Sequence, residues 1–248
     1  MSTSTWHQLE QRLRFDGERP IEGQTPSSVW LQSISLYRFA CRFAPGREVL
    51  DVACGTGYGS RMLLDAGARR VLGVDISDDA VQYARLRYGT EGLEFRVGDA
   101  RELSAYGQFD LVVSIETIEH VPDGERCVAA AAGALPEDGI YVVSTPNCGA
   151  DLRLLRGERP PSPHHHSEYD AQRLERELCA HFRQVEMYGQ YWRGRTVLRR
   201  AGLWLLKKLS RDLPVEPLCP ARLAKALPRR LVAVCRGPHP EARRSQNG

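Results

Sequence analysis

The sequence predicts an α/β fold built on a doubly wound, mostly parallel sheet. Two observations carry that expectation. Short β-branched runs alternate with amphipathic stretches through the middle of the chain, the pattern of parallel strands joined by crossover helices. The first such run, Glu48-Val49-Leu50-Asp51-Val52, passes directly into Ala53-Cys54-Gly55-Thr56-Gly57-Tyr58-Gly59-Ser60, so a strand ending in an acid feeds a glycine turn. Glycines there let the backbone turn sharply and approach a ligand, and the following helix aims its unpaired N–H groups into the same space.

Strands are expected near 48–53, 70–75, 93–97, 109–114 and 139–145, with helices at about 58–66, 78–88 and 123–135 between them. The second helix opens at Ser77, a cap residue, and Asp78 and Asp79 complement the positive end of its dipole. Ahead of the first strand, 28–43 has helical spacing and either covers a ligand or packs plainly on the sheet. Behind Ser144-Thr145-Pro146-Asn147 come a Pro- and Arg-rich loop, a helical segment at 170–181, a strand at 182–188 and another at 230–235. A chain of 248 residues suits one domain with elaborations. We divide it into an N-terminal extension, 1–34, a main domain, 35–237, and a disordered tail, 238–248.

The start Met1-Ser2-Thr3-Ser4-Thr5-Trp6-His7 has no apolar leader, and no later stretch nears the roughly 18 apolar residues of a membrane span. A cytoplasmic location is therefore expected. The seven cysteines form no C-x-x-C pair and are odd in number, which indicates neither a zinc ribbon nor a disulfide framework. The net charge of +3 conceals an asymmetry: Arg193 to Arg236 holds twelve Lys or Arg against Asp212 and Glu216. Wound as a helix, 197–213 sets Leu198, Leu205, Leu206, Leu209 and Leu213 on one arc and Arg199, Arg200, Lys207, Lys208 and Arg211 on the other half. Such a helix either packs its leucines on the sheet or makes peripheral contact with an anionic membrane, its inner face here, or with an anionic carrier through 193–236. No RNA-binding signature accompanies it, so nucleic acid is not the expected partner.

The turn itself discriminates between ligands. A dinucleotide fingerprint needs Gly-x-Gly-x-x-Gly/Ala, whereas this chain has Gly55-x-Gly57-x-Gly59 with Ser60 in the sixth place. Asp51 would repel phosphates but suits an ammonium or sulfonium group. Asp75 closes the second strand twenty residues past Gly55, where a carboxylate can accept both hydroxyls of a ribose.

With Gly98-Asp99-Ala100, Phe109-Asp110-Leu111-Val112-Val113-Ser114 and Glu116-Thr117-Ile118-Glu119-His120, these residues resemble the nucleotide-binding half of class I S-adenosylmethionine-dependent methyltransferases over about 35–147. The resemblance implies a Rossmann-like methyltransferase sheet of seven strands, with 182–188 and 230–235 as an antiparallel hairpin and 191–228 inserted between them. It implies S-adenosylmethionine as cofactor, with Asp51, Gly55 and Gly57 around the methionine moiety and Asp75 and Ile76 at the ribose and adenine. Asp99 and Ala100 would flank the adenine, and Ala53 and Ser114 complete the expected contacts.

Methyl transfer is an in-line displacement whose barrier falls mainly by positioning, with a base adding about 10²–10⁴-fold for a hydroxyl acceptor. Glu116-Thr117-Ile118-Glu119-His120 follows the fourth strand, and His120 is the best candidate base unless it only hydrogen-bonds its loop. His164-His165-His166 follows the fifth strand, and His165 is the second catalytic candidate. In an alternative arrangement Glu116, Glu119, His120 and His166 hold a divalent cation such as Mg²⁺. That pattern is similar to the metal site of small-RNA 2′-O-methyltransferases, and the Glu-x-x-Glu-His run also resembles ubiquinone-pathway O-methyltransferases. Thr145-Pro146-Asn147, a histidine before Glu168-Tyr169 and Gly189-Gln190 are similar to bacterial methyltransferases found with polysaccharide glycosyltransferases, although Ser162-Pro163-His164-His165 stands in place of Asn-Pro-Phe-His. This resemblance implies a saccharide or other small-molecule hydroxyl as acceptor. A phenolic lipid, an amine, an RNA 3′ end, or a scaffold that binds cofactor or partner without catalysis stay open.

Overall fold

The computed structural model describes residues 9, 12–15, 19–150, 163–191, 213, 215–218 and 227–240. Among the described residues eight strands form one sheet: β1 Glu48–Val52, β2 Arg70–Asp75, β3 Leu93–Val97, β4 Leu111–Ile115, β5 Ile140–Pro146, β6 Phe182–Gln190, β7 Val215–Pro217 and β8 Arg230–Pro238. Their order is β3-β2-β1-β4-β5-β8-β6-β7. The first five are mutually parallel, and β8 runs antiparallel to both β5 and β6. The seven expected strands are present, with β8 wedged between β5 and β6. An eighth, β7, pairs antiparallel with β6 inside the stretch expected as an insertion. The basic helix expected at 197–213 lies outside the described residues except for Leu213, and the tail lies outside from 241. The strand β8 reaches Pro238, so the described chain stays in the sheet one residue past the expected end of the domain.

Helices cover both faces because strands β1, β2, β4 and β5 are apolar on both. Leu50, Val52, Val74, Val112 and Val143 point to one side, where α4 (Gly124–Gly133) and α5 (Ala171–Cys179) pack with Cys127, Val128, Leu174 and Leu178. Val49, Val71, Val113 and Val142 point to the other, against α1 (Ser27–Ala40), α2 (Tyr58–Asp65) and α3 (Asp78–Tyr88). Burial of each large aliphatic side chain contributes about 1.5–3 kcal/mol. The helix starts follow the expected chemistry: the Ser77 hydroxyl accepts from Ala80 N, and Asp123 and Asp170 cap α4 and α5. The boundary expected at 34/35 falls within α1, whose Leu36, Tyr37, Phe39 and Ala40 belong to the core. Among the described residues no helix is long and apolar enough to cross a membrane.

The path of the chain reverses between β1 and β4. From β1 the crossover through α2 leads outward to β2, whereas from β4 the crossover through α4 leads the other way to β5. A crevice opens at the carboxyl ends of these two strands, the position at which doubly wound sheets receive ligands.

Gly59, in the first turn of α2, sets how closely α1 approaches. A Cβ added there would fall inside the ring of Tyr37, which is itself tied down by a hydrogen bond from its hydroxyl to Asp51. Gly59→Ala is therefore expected to cost about 1–3 kcal/mol by overpacking, read as a lower midpoint in urea at unchanged slope.

Candidate active site

The crevice is a cleft of about 720 Å³ walled by residues from both halves of the sheet. Its floor carries the only two non-glycine residues with positive φ among those described, Ala53 (φ 57°) and Glu116 (φ 53°). Each stands directly after a central strand, β1 and β4 respectively. Left-handed backbone at a residue with a Cβ costs energy and persists where surrounding structure fixes it, and such residues cluster at functional sites.

On the side of β1 and β2, Ala53, Gly55, Asp75, Ile76, Asp99 and Ala100 line the cleft. The turn is shaped by Gly55 (φ 55°) and Gly57 (φ 86°), and Gly55 N donates to Asp75 Oδ2 at 2.8 Å while Ser77 N donates to Oδ1 at 2.9 Å. These bonds fix the Asp75 carboxylate at the rim. Ile76 beside it is 71% exposed, an apolar side chain offered to whatever enters. The Asp99 carboxylate accepts from the Arg101 guanidinium at 2.6 Å and from Arg101 N at 2.9 Å, and this partner holds its pKa below the usual range.

Three expected cofactor residues, Asp51, Gly57 and Ser114, lie beneath the wall and not on it. Gly57 is packed so tightly on Ala84 and Phe95 that a Cβ would overlap both. Asp51 is fully buried, accepting from Ser60 Oγ at 2.6 Å and from Tyr37 OH at 3.1 Å. Burial raises its pKa to about 7; the Ser60 and Tyr37 hydrogen bonds oppose the rise and Asp75 adds to it. Asp51 thus lies beneath the cleft without lining it.

On the side of β4 and β5, the turn Ile118–His120 and the segment 163–168 meet. The two are stitched by His166 N and Ser167 N, which donate to Glu119 O at 2.7 and 3.2 Å. His120 Nδ1 lies 3.0 Å from the carbonyl of His164, which can only accept, so Nδ1 carries the proton and Nε2 is the lone-pair nitrogen. His165 Nδ1 lies 3.0 Å from Glu168 Oε1, which orients that imidazole in the same sense. The two rings meet edge to face with centroids 5.0 Å apart.

Glu119 is 1% exposed; its Oε2 accepts from Thr145 Oγ1 at 2.8 Å, and Oε1 has no hydrogen-bond partner among the described residues, with His120 Nε2 3.8 Å away. Burial first, then the charge of Glu116, pushes its pKa well above the carboxylate range. One ligand atom each from Glu119, His120 and His165 lie within 4.8 Å of one another.

This grouping differs from the expected metal set in two members. Glu116 stands outside the cluster: its carboxylate accepts from Ser144 Oγ at 2.9 Å and pairs with the Arg230 guanidinium. His166 is committed through its main chain to Glu119, its residue is exposed, and His165 takes its place. The sequence reading also missed Arg19 and Tyr37, which line the cleft from the N-terminal side, and Arg229 and Arg230, which line it from the start of β8. Nothing in a local motif marks them; the fold alone brings them in.

Residues 50–143 match the family model described as a methyltransferase domain. A probable S-adenosylmethionine-dependent methyltransferase of Mycolicibacterium smegmatis is 34% identical over 170 residues, 67% of this chain and 63% of that one. The ubiquinone biosynthesis O-methyltransferase of Bordetella avium is 39% identical over 135 residues, covering 52% and 53%. The chain thus spans less than two thirds of the length of these curated relatives. Among solved structures, the N-methyltransferase NodS of Bradyrhizobium japonicum, in complex with S-adenosylhomocysteine, shares the fold with a TM-score of 0.60 at 16% identity, over 95% of this chain and 99% of that one. The matched core and the strand order together show that the chain belongs to the class I S-adenosylmethionine-dependent methyltransferases.

Proposed function

We propose that the protein moves a methyl group from S-adenosylmethionine to a hydroxyl of a small-molecule or saccharide acceptor. One observation carries this reading. A single cleft joins a nucleoside-type seat, formed by Gly55, Asp75 and Ile76, to two imidazoles presenting Nε2 beside a buried carboxylate. The seat fits a cationic nucleoside: carboxylate oxygens of Asp75 face a diol, an exposed apolar side chain waits for a base, and Asp51 and Asp75 set a negative field without a phosphate cradle. As the acceptor oxygen attacks the methyl carbon, the carbon–sulfur bond breaks with its electron pair on sulfur. His120 Nε2 takes the hydroxyl proton, and the His164 carbonyl holds the resulting imidazolium in place through Nδ1–H.

Labelled donor offered to fractionated saccharides, phenols and amines tests the acceptor class, and label confined to amines would overturn the hydroxyl assignment. Calorimetry with S-adenosylhomocysteine tests the seat: a folded protein that does not bind it is a scaffold rather than a transferase.

A second reading gives Glu119, His120 and His165 a divalent ion. The buried Glu119 Oε1 without a hydrogen-bond partner favours it, as does the engagement of both Nδ1 atoms by oxygen acceptors, the orientation typical of metal-ligating histidines. Two imidazoles and one carboxylate suit zinc, manganese or iron better than magnesium. Bound there, an ion would act as a Lewis acid on the acceptor oxygen. On this reading EDTA lowers turnover by on the order of tenfold or more and manganese titrated into the chelated protein raises its melting temperature. Undiminished turnover together with no thermal shift excludes it.

A further inference from the structure

One turn of α1 meets the cleft with a polar side chain in an otherwise apolar stripe. Val29, Gln32, Ser33 and Leu36 recur at helical spacing on one face of α1, and all four line the cleft. The Ser33 hydroxyl turns back to the Val29 carbonyl at 3.2 Å. Thr56 and Thr117, also in the cleft wall, spend their hydroxyls in the same way, on the carbonyls of Pro20 and Ile115. Gln32 differs from all three. Its carboxamide makes no hydrogen bond among the described residues, and neither of its polar atoms is buried.

The main chain that carries Gln32 is fixed to the sheet. Gln190, the last residue of β6 and 2% exposed, donates from Nε2 to the Gln32 carbonyl at 3.0 Å. That carbonyl lies within α1, where a helical bond is already due, so the bond from Gln190 is a dedicated tie between the helix and the strand. Gln190 pairs in register with Arg230, whose guanidinium meets Glu116 at the end of β4. Gln32 is thereby set on the half of the cleft built by β4, β5, β8 and β6, which also carries His120 and His165. A recognition group held from a rigid element in this way loses little freedom when it binds.

A carboxamide offers an acceptor oxygen and two N–H donors with no charge. The charged groups of this half are matched to one another, Glu116 with Arg230 and His165 with Glu168, so Gln32 is the group suited to a neutral hydroxyl, which both donates and accepts. We propose that Gln32 determines acceptor specificity: its carboxamide holds a hydroxyl adjacent to the one that is methylated. The enzyme then selects acceptors with neighbouring hydroxyls, as on a sugar ring, over acceptors with one. The held hydroxyl keeps its proton; only its neighbour gives one up and gains the methyl group. This inference rests on the reading of the protein as a hydroxyl methyltransferase, and its test separates the two.

Labelled S-adenosylmethionine and the full chain are offered a panel of methyl hexosides, the single-deoxy form of each, and cyclohexanol and phenol as acceptors with one hydroxyl. For a methyl hexoside that takes label, removing the hydroxyl beside the methylated one is expected to lower kcat/KM of the wild type about 3–30-fold, the loss of one or two neutral hydrogen bonds. Gln32→Met, close in size and without polar hydrogen-bonding atoms of that strength, is expected to lower kcat/KM for the intact hexoside by a similar factor and to leave the deoxy form within about twofold of wild type. That non-additivity is what a merely structural role would not produce. Calorimetric affinity for S-adenosylhomocysteine stays within about twofold in both proteins. Should the Met variant fail to unfold cooperatively on heating, Gln32→Glu, which keeps the length but loses the N–H donors, carries the same cycle. Equal losses for intact and deoxy acceptors overturn the proposal, as does a panel in which cyclohexanol or phenol is methylated as fast as any hexoside, or in which no hexoside takes label. Label confined to amines overturns the hydroxyl reading and the role of Gln32 together.

Discussion

His120→Ala is expected to lower methyl transfer by about 10²–10⁴-fold while leaving the affinity for S-adenosylhomocysteine within about twofold. The expected size follows from what the imidazole does: with Nδ1–H held on the His164 carbonyl, Nε2 is the nitrogen able to receive a proton within the cleft. The expected split follows from its place. His120 stands after β4 on the acceptor side, whereas the residues proposed for the nucleoside stand after β1, β2 and β3. Two companion substitutions distinguish the base from an ion. If His120 acts as base, His165→Ala and Glu119→Gln cost much less than His120→Ala, because they only orient or neighbour it. If the three hold an ion, each single loss costs nearly as much as all three combined, since ligands of one centre act as a unit. The measurement is kcat with the acceptor that takes up label, beside the calorimetric Kd for each variant. Equal activity of His120→Ala and wild type would falsify both arrangements.

The fold was legible wherever a local pattern and the global architecture agree. Strands β1, β2, β4 and β5 are buried on both faces and read as largely apolar runs, β3 alternates as Leu93-Glu94-Phe95-Arg96, and α3 announces itself through Ser77, Asp78 and Asp79. The short strand β7 left no such trace: Val215, Glu216 and Pro217 are neither alternating nor apolar, and they pair at the sheet edge because β6 presents Tyr188, Gly189 and Gln190 to them. The site was legible in parts for the same reason. Residues adjoining a strand end are delivered to the crevice by topology, which brings Ala53, Gly55, Asp75, Ile76 and His120 to its wall. Whether a side chain then faces the ligand depends on its neighbours. Asp51 is claimed by Ser60 and Tyr37, Glu116 by Ser144 and Arg230, and neither partnership can be read from spacing along the chain. Arg19 is more remote still: the acid it meets, Asp75, lies on β2, and the strand β1 and helix α2 intervene.

Asp51→Asn should flatten the pH dependence of stability and weaken donor binding in the same protein. Asp51 is enclosed by Tyr37 from α1 and Ser60 from α2, with Cys54 and the Asp75 carboxylate nearby and no cation bonded to it among the described residues. Its carboxyl is raised from 3.8 to about 7, chiefly by burial. A raised pKa means that the folded state binds the proton more tightly than the unfolded chain. The contribution is therefore fully present below pH 4 and is lost as pH rises toward 7. The displacement corresponds to at most about 4 kcal/mol over that window. Asn keeps an oxygen to accept from Tyr37 and Ser60 but carries no proton to lose, so the fall from pH 4 to 7 in urea-derived stability shrinks by an amount of that order. Donor binding runs the opposite way. A ligand bearing ammonium and sulfonium charges favours the ionised carboxylate, so wild-type affinity for S-adenosylmethionine rises between pH 5 and 8 as Asp51 gives up its proton, and the Asn variant loses that rise. The cost to stability near neutrality and the gain in affinity for a cationic ligand then have one source: a negative charge held away from water beneath the glycine turn. An Asn variant whose stability profile and affinity profile both track the wild type would show that Asp51 is merely a neutral hydrogen-bond acceptor in the core.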